Sequence, residues 1–447
     1  MNVPEVEYAK SGDVAIAYQV SGGGSVDIVL VTGFVSNILY AWEQPDVVRF
    51  LERIGEFARV IRFDRRGCGL SDRPRAVPTL ETRMDDVRAV MAGAESRRAV
   101  IIGTFEAAPM TALFAATYPE KVSALAMYNG YAKAVQSPDY PWGRTEDEWA
   151  DELALLEDGW ASGSYIDRVL ERSFPSKEGD EEFRRWFVNE MRYGASPSAA
   201  MTIQRMAIDV DVRDVLPAIR VPTLILHQPS MAGPAHFMAD RIPGAKRVEL
   251  AGEDNSLWLA PGAPEELEGF IQKVSGADEP DTVLATVLFT DIVGSTERAT
   301  ALGDQRWAEL RERHHAVVRR ELDRFSGREV DTAGDGFFAT FDGPARAIRC
   351  ALAIRDAVAD LGLEVRAGLH TGECELRGDK PGGIAVNIGA RIVTQAGPGE
   401  VLVSSTVRDL VAGSGISFED RGERKLKGIA DAWRLFAVDE TLTASSV

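Results

Sequence analysis

The chain has 447 residues, which exceeds one ordinary domain and predicts two. Its hydrophobic fraction of 45% suits packed globular protein, and no apolar run approaches the roughly 18 residues that span a bilayer. The N-terminus lacks the pattern of a signal peptide, so we expect a soluble, cytoplasmic protein. The formal net charge of -19 argues against nucleic-acid and membrane partners, and it predicts metal dependence if the ligand is a nucleotide.

The three cysteines are far apart in the sequence. Cys68, Cys350 and Cys374 show neither paired spacing nor the spacing of metal ligands. We therefore expect reduced thiols, without a disulfide framework or a zinc site.

Residues 1–272 alternate short apolar runs with helical stretches, a pattern typical of a parallel sheet covered by helices. From about 135 to 215 this alternation stops, and charged residues and tryptophans at helical spacing predict a helical cap over the carboxyl edge of the sheet. The polar composition of 273–282 predicts a linker to a second domain at 283–440. The predicted strands of the first domain are 27–32, 59–63, 98–102, 124–128, 223–227 and 245–250.

The second domain is predicted to have an α+β order related to ferredoxin-like units, because a long helix follows its first strand and a hairpin comes next. The predicted strands are 285–290, 328–332, 336–341, 363–370, and two near 400–404 and 432–438. The predicted helices are 297–325, 344–361 and 384–396.

Two aspartates at strand ends carry the strongest chemical signal. Asp291 ends the apolar run 285–290, and Asp335 lies in the turn between the two strands of the predicted hairpin. The residues after Asp291 lead into a helix, whose first backbone amides can bind a polyphosphate while carboxylates hold divalent metals against it. The pair therefore predicts phosphate chemistry on a nucleotide.

Four segments in order resemble class III nucleotidyl cyclases and span nearly all of the second domain. They are VLFTDIVGST (287–296), TAGDGFFATF (332–341), VRAGLHTG (365–372) and GIAVNIGAR (383–391). The resemblance implies that Asp291 and Asp335, with the carbonyl of Ile292, hold two Mg²⁺ or Mn²⁺ ions. One ion would activate the ribose 3′-hydroxyl of ATP and the other would bind the triphosphate, so that the hydroxyl displaces pyrophosphate and forms 3′,5′-cyclic AMP.

The resemblance also implies roles for residues outside the metal site. Asn387 and Arg391 are four apart on one helix and would orient the ribose and stabilise charge in the transition state. Surface ion pairing is the alternative interpretation for Arg391 and for Arg366. Because metal ligands and base-reading residues come from different chains in this family, a head-to-tail homodimer is expected. The predicted phosphate contacts are Gly294, Ser295, Thr296, Arg366 and Lys427.

The positions that would read the purine depart from the family pattern. Asp331 and Lys380 stand where adenylate cyclases usually have a lysine and an aspartate, so the charges are exchanged. The two side chains still supply one acceptor and one donor for adenine. Alternatively, they form a salt bridge and the base is read loosely, or the neighbouring Asp379 serves instead. ATP is favoured over GTP, with a guanylate or relaxed-specificity cyclase, or a non-enzymatic ligand-sensing protein, as alternatives.

The first domain resembles α/β-hydrolases in LVTGF (30–34), FDRRGCGLSD (63–72) and IIGTFEAAPM (101–110). The catalytic residues of that family are replaced. Phe105 takes the position of the nucleophilic serine and has no atom able to attack an ester. Met231 marks the stretch where the acid is expected, and Asn255 takes the position of the histidine but cannot act as a general base near neutral pH. We therefore predict a domain without hydrolase activity.

Two interpretations of this domain stay open. It is either a scaffold that holds or dimerises the second domain, with Phe105 filling the former pocket, or a sensor for a small apolar ligand. The cap, an apolar pocket floor and backbone donors at Phe34 and Glu106 favour the sensor.

Overall fold

The computed structural model divides into two compact units, Met1–Pro280 and Asp281–Val447, which are here the N-terminal and C-terminal domains. Most of the predicted linker, residues 275–281, lies outside the described residues. Within the described part of the chain, no helix is long and apolar enough to cross a membrane. The structure describes residues 3–73, 78–274, 282–377, 380–429 and 431–439.

The N-terminal domain contains an eight-stranded sheet with the order β1-β2-β4-β3-β5-β6-β7-β8. The strands are β1 (Glu7–Ser11), β2 (Val14–Gly22), β3 (Val26–Val31), β4 (Ala58–Phe63), β5 (Ala99–Thr104), β6 (Val122–Tyr128), β7 (Thr223–His227) and β8 (Lys246–Glu249). From β4 to β8 along this order all pairings are parallel, which confirms the predicted fold class. The strands β1 and β2 add an antiparallel edge.

Nine helices are described in this domain. They are α1 (Pro45–Gly55), α2 (Leu80–Gly93), α3 (Ala108–Thr117), α4 (Glu146–Ser162), α5 (Ser164–Ser173), α6 (Glu181–Gly194), α7 (Pro197–Ile208), α8 (Ala232–Ala239) and α9 (Ala263–Val274). The helices α4 to α7 lie in the stretch where the sequence predicts a cap. Helix α4 begins at a capping box between Thr145 and Glu148 and ends at Gly163, whose φ is 88°. An aromatic cluster that includes Trp160, Phe183 and Trp186 forms the core of the cap.

The C-terminal domain has a mixed sheet with the order β10-β11-β9-β12-β14-β16-β15, and β13 pairs with β12. Among the described strands of this domain only β12 and β14 run parallel, so the predicted α+β architecture is confirmed. The strands are β9 (Thr282–Ile292), β10 (Arg328–Ala333), β11 (Gly336–Phe341), β12 (Val365–Arg377), β13 (Lys380–Gly382), β14 (Val401–Ser404), β15 (Phe418–Lys425) and β16 (Ala432–Val438). The helices are α10 (Ser295–Leu302), α11 (Asp304–Arg324), α12 (Pro344–Ala359), α13 (Ile384–Ile392) and α14 (Ser405–Leu410).

The predicted helices of this domain differ from the observed ones in two places. The predicted helix 297–325 is two helices, because Gly303, with a φ of 76°, ends α10 before α11 begins. The predicted helix 384–396 ends as an α-helix at Ile392 and continues as a 3₁₀ turn.

Helix α13 packs directly on strand β9. Gly389 makes this approach possible, since a Cβ atom there would lie 2.5 Å from Cγ2 of Val287. The other sheet face, with Leu288, packs in the core that includes Val318 of α11 and Ile348 of α12. Helix α13 is therefore held against β9, the strand that leads into the site described below, and its outer face is turned away from the sheet.

Candidate active site

The pairing of β9 with β11 brings the two aspartates to one end of the sheet. Phe337 pairs with Thr290, so the next position along β9, Asp291, faces the start of β11, directly after Asp335. Asp335 lies in a tight turn shaped by Gly334, whose φ of 67° suits glycine. Asp291, near the end of β9, and Asp335, in the turn before β11, therefore lie next to each other at this end of the sheet.

Asp335 has an unused ligand atom. Its Oδ2 is buried and has no hydrogen-bond partner among the described residues. Such orphaned oxygens are rare in folded proteins and call for a missing partner such as an ion. The oxygen-only donor set of the two carboxylates and the carbonyl of Ile292 suits Mg²⁺ or Mn²⁺.

These residues do not form a complete metal cage. No group of three or more His, Cys, Asp or Glu side chains that could hold a metal occurs in the described part of the chain. The remaining ligands would have to be water and substrate phosphate oxygens, which is the usual arrangement for Mg²⁺ in nucleotide enzymes.

Asp291, in contrast, already has a cationic partner. Arg366 is its cross-strand neighbour on β12, and the Nε and Nη2 atoms of Arg366 lie 3.0 Å and 2.5 Å from Oδ2 of Asp291. The side chains of Arg366 and Asp291 are 31% and 33% exposed, so ligands can reach the pair. Arg366, the predicted phosphate contact, thus contacts a predicted metal ligand.

The other predicted phosphate contacts are divided between two places. Gly294, with a φ of 65°, precedes α10, and no side chain caps the first turn of this helix. The amides near Ser295 and Thr296 are therefore available to an anion. Lys427 is exposed in the turn after β15, which is the opposite edge strand of the sheet from β10, so one chain does not bring it beside Asp291.

Asn387 and Arg391 lie on the exposed outer face of α13. Neither side chain has a hydrogen-bond or ion-pair partner of its own chain among the residues described. The surface pairing considered as the alternative for Arg391 is thus not seen there, whereas Arg366 is paired.

The two positions predicted to read the base lie in different settings. Asp331 is exposed beside an irregularity in β10, and its Oδ1 accepts the backbone amide of Thr332 at 3.0 Å. Lys380 begins β13, but its side chain lies outside the described part of the structure, as does Asp379. The contact between Asp331 and Lys380 therefore stays a prediction.

In the N-terminal domain the backbone turn that would hold a nucleophile is retained. Phe105 follows β5 with a φ of 50°, a conformation that bulky residues rarely adopt. Gly103 leaves no room for a side chain, because a Cβ atom there would lie 2.2 Å from Oγ1 of Thr111. The ring of Phe105 packs edge-on against Tyr128, with centroids 6.0 Å apart.

Amide side chains surround Asn255. Asn129 donates from Nδ2 to Oδ1 of Asn255 at 2.5 Å, and its own Oδ1 accepts the backbone amide of Gln228 at 2.9 Å. Met231 lies instead in the next 3₁₀ turn and lines the cavity of this domain. Sequence reasoning named Met231 and missed Asn129, whose only signal is its position directly after β6.

Comparison with known proteins gives a family match for each of the two domains. A model of the adenylate and guanylate cyclase catalytic domain matches residues 278–439, and a model of the alpha/beta hydrolase fold matches 28–227. The AB hydrolase superfamily protein YisY of Bacillus subtilis is 30% identical over 201 residues, covering 44% of this chain and 74% of that protein. The chain belongs to the α/β-hydrolase superfamily, and its C-terminal domain is a class III cyclase catalytic domain.

Two further similarities concern one domain each. A pH-sensitive adenylate cyclase of Mycobacterium tuberculosis is 28% identical over 173 residues, which are 37% of this chain and only 43% of that protein. An esterase from Exiguobacterium antarcticum superposes with a TM-score of 0.52 and 23% identity over 61% of this chain and 100% of its own, which concerns the fold of the hydrolase domain alone.

The hydrolase domain contains a cavity of about 450 Å³. Phe34, Phe105 and Asn255 line it, so it lies where the nucleophile and the histidine of an α/β-hydrolase are expected. The cap contributes Trp186 and Glu190. The sequence pattern pointed to Trp186 only as part of the predicted cap and did not identify Glu190, because both occupy ordinary positions of an amphipathic helix.

Proposed function

We propose that the cyclase domain converts ATP to 3′,5′-cyclic AMP and pyrophosphate. The observation that carries the proposal is the pair of neighbouring carboxylates, Asp291 and Asp335, of which the second has a buried oxygen without a partner among the described residues. Mg²⁺ or Mn²⁺ bound there would polarise the phosphates and favour ionisation of the ribose 3′-hydroxyl. The pair lies where β9 leads into the uncapped start of α10, which favours the binding of a polyphosphate.

The chain's own residues would position the substrate. Asp291, Asp335 and the carbonyl of Ile292 would hold the ions, and the amides from Gly294 to Thr296 would receive phosphate oxygens. Arg366 is close enough to Asp291 to transfer its hydrogen bonds to a phosphate group once a nucleotide is present.

The proposed active site needs a second copy of the chain. Asn387 and Arg391 are exposed and have no partner of their own chain among the described residues, although an arginine in a chain of net charge -19 has many carboxylates to choose from. We propose that they act in the site of the partner subunit in a head-to-tail homodimer, where Asn387 orients the ribose and Arg391 stabilises charge on the phosphate.

Mixing two inactive variants tests this arrangement. Asp291→Ala and Asn387→Ala each remove one half of the site, so each variant alone should be inactive. If subunits exchange freely, half of the dimers are mixed and each mixed dimer has one intact site, so the mixture should recover about a quarter of the wild-type activity. An inactive mixture, with exchange confirmed by tagged subunits, would contradict a composite site.

We propose ATP over GTP because Asp331 offers an acceptor. One of its oxygens accepts the amide of Thr332, and the other is available to the exocyclic amino group of adenine. The decisive assay incubates the purified full chain with Mn²⁺ and either nucleotide and measures the cyclic product by chromatography.

Matched variants decide what the assay means. Asp335→Asn should abolish product formation, whereas Asp420→Asn, at an exposed acid on β15, should not. Product formation that survives Asp291→Ala and Asp335→Asn would refute the proposed site. Absence of product from both nucleotides would favour the non-enzymatic alternative, and equal rates would favour relaxed specificity.

We infer that the hydrolase domain does not hydrolyse esters and serves as a regulatory or scaffold domain. Phe105 offers no nucleophilic atom, and Asn255 hydrogen-bonds to Asn129 in a cluster of amides that cannot take up a proton near neutral pH. Turnover of p-nitrophenyl butyrate by the purified chain would contradict this inference.

A further inference from the structure

The cavity of the hydrolase domain is lined by aromatic side chains from both the sheet side and the cap. Its volume of about 450 Å³ falls within the range of small-molecule sites, roughly 300 to 1,000 Å³. Its apolar lining includes Phe34, Phe105, Tyr165, Phe174, Phe187 and Trp258. Such a lining favours a ligand with an apolar body, but it does not by itself determine which ligand binds.

Three polar atoms on residues that line this cavity lack partners. Oγ1 of Thr32, Nε1 of Trp186 and Oε2 of Glu190 are buried without a hydrogen-bond partner among the described residues. The side chain of Glu190 is oriented by its other oxygen, Oε1, which accepts the backbone amide of Asn37 at 3.0 Å. Glu190 is only 9% exposed. Buried polar atoms are almost always partnered in folded proteins, so these three indicate a missing occupant.

Each charged side chain on the cavity wall has a partner within the protein, except Glu190. Burial raises the pKa of Glu190 to about 8, so near pH 7 its carboxyl group is protonated and can both donate and accept a hydrogen bond. The three groups that lack partners are therefore uncharged, which favours an uncharged ligand. The other charged side chains of the wall are Arg144 and Arg172, which share Glu152, Lys133 with Asp211, Glu106 with Arg65, and Arg62 near Asp64.

We propose that the hydrolase domain binds, without hydrolysing it, a small uncharged molecule whose apolar body carries a hydroxyl and a carbonyl group. Oε2 of Glu190 accepts the hydroxyl hydrogen, and Nε1 of Trp186 donates to the carbonyl oxygen. Thr32 supplies a hydroxyl from the sheet side. The proposal is independent of the cyclase reaction, because it concerns residues of the N-terminal domain alone.

Binding of a matched probe series to the full chain tests this. Butyl 4-hydroxybenzoate has both polar groups, butyl benzoate lacks the hydroxyl, and 4-hydroxybenzoate is an anion without the apolar tail. Isothermal titration and quenching of tryptophan fluorescence should show 1:1 binding in the order butyl 4-hydroxybenzoate, then butyl benzoate, with no binding of the anion. Failure of all three probes to bind, or binding of the anion alone, would overturn the proposal.

Variants locate the site and the hydrogen bond. Glu190→Gln keeps the acceptor for the amide of Asn37 but turns an NH₂ group toward the cavity. It should therefore lower the affinity for butyl 4-hydroxybenzoate about tenfold and leave the affinity for butyl benzoate unchanged. Glu182→Gln, at an exposed position of the same helix, is the matched control. Val169→Phe should fill the cavity and abolish binding of both esters.

The outcomes are separable from a folding defect. Equal weakening of both esters by Glu190→Gln, or unchanged binding in Val169→Phe, would overturn the assignment. Conversion of the probe to 4-hydroxybenzoate, detected by mass spectrometry, would overturn the claim that the ligand is not hydrolysed. Cyclase activity and the unfolding transition of each variant report whether the chain is folded.

Discussion

Replacing Arg366 with glutamine should make a metal ion bind more tightly to the nucleotide-free protein. Arg366 donates to Oδ2 of Asp291 through Nε and Nη2, so it competes with a cation for that oxygen. Ion pairs with this degree of exposure are worth about 0.2 to 1 kcal/mol. Removing the competitor should therefore raise the affinity for Mn²⁺ by up to about fivefold.

The same substitution should weaken the binding of ATP. If the guanidinium group moves to a phosphate oxygen on nucleotide binding, a charge-assisted hydrogen bond of about 1.5 to 3 kcal/mol is lost, and the KM for ATP should rise by about 10- to 150-fold. Titration of Mn²⁺ by electron paramagnetic resonance and initial rates of cyclic AMP formation measure the two effects. Their opposite signs distinguish this role from a general loss of structure.

Arg434→Gln is the matched control. Arg434 donates through Nε and Nη2 to one oxygen of Asp420, with the same geometry but on the strands β16 and β15, away from β9. It should change neither Mn²⁺ affinity nor the KM for ATP. Mn²⁺ binding that is unchanged or weaker in Arg366→Gln would refute the competition between arginine and metal.

Three further substitutions give distinct expectations. Phe105→Ser should not create activity toward p-nitrophenyl butyrate, because Asn255 cannot take the proton from serine; turnover would contradict this. Asn129→Ala leaves the amide of Gln228 without its partner and should lower the free energy of unfolding in urea by about 2 kcal/mol, and a change near zero would mean that the cluster contributes no stability. Burial lowers the pKa of His314 to about 4, so its neutral form gives stability that is present above about pH 6.5 and is lost as the pH falls through 4. His314→Leu should therefore raise the melting temperature relative to wild type more at pH 5 than at pH 8. An equal difference in melting temperature at the two pH values would refute this.

The parts of the fold that could be predicted are those with a regular apolar pattern between clear turn residues. Strand β11 was predicted with its observed bounds because its buried and half-buried residues alternate. Strand β15 was missed because it is an edge strand with mostly exposed, charged residues, so it carries no such alternation. The break at Gly303 was missed because one glycine does not interrupt a helical pattern of this length.

The sequence predicts the candidate site where a residue with metal-binding chemistry lies at the end of a predicted strand, as for Asp291 and Asp335. The ion pair of Asp291 with Arg366 was not, because it depends on the register between β9 and β12, which local sequence patterns do not determine. Asn129 and Glu190 were missed for a different reason. A neutral amide after a strand and an acid within a helix are ordinary features, and only their burial in the fold makes them informative.

The arrangement of charges in the cyclase domain predicts that metal and nucleotide binding are linked. Arg366 is paired with Asp291, while Oδ2 of Asp335 has no partner among the described residues. If a nucleotide phosphate takes over the guanidinium group, Asp291 becomes accessible to a metal ion. By thermodynamic reciprocity, a metal ion that displaces Arg366 from Asp291 would then favour nucleotide binding by the same factor. We therefore expect Arg366 to make the two ligands bind together more readily than either one alone.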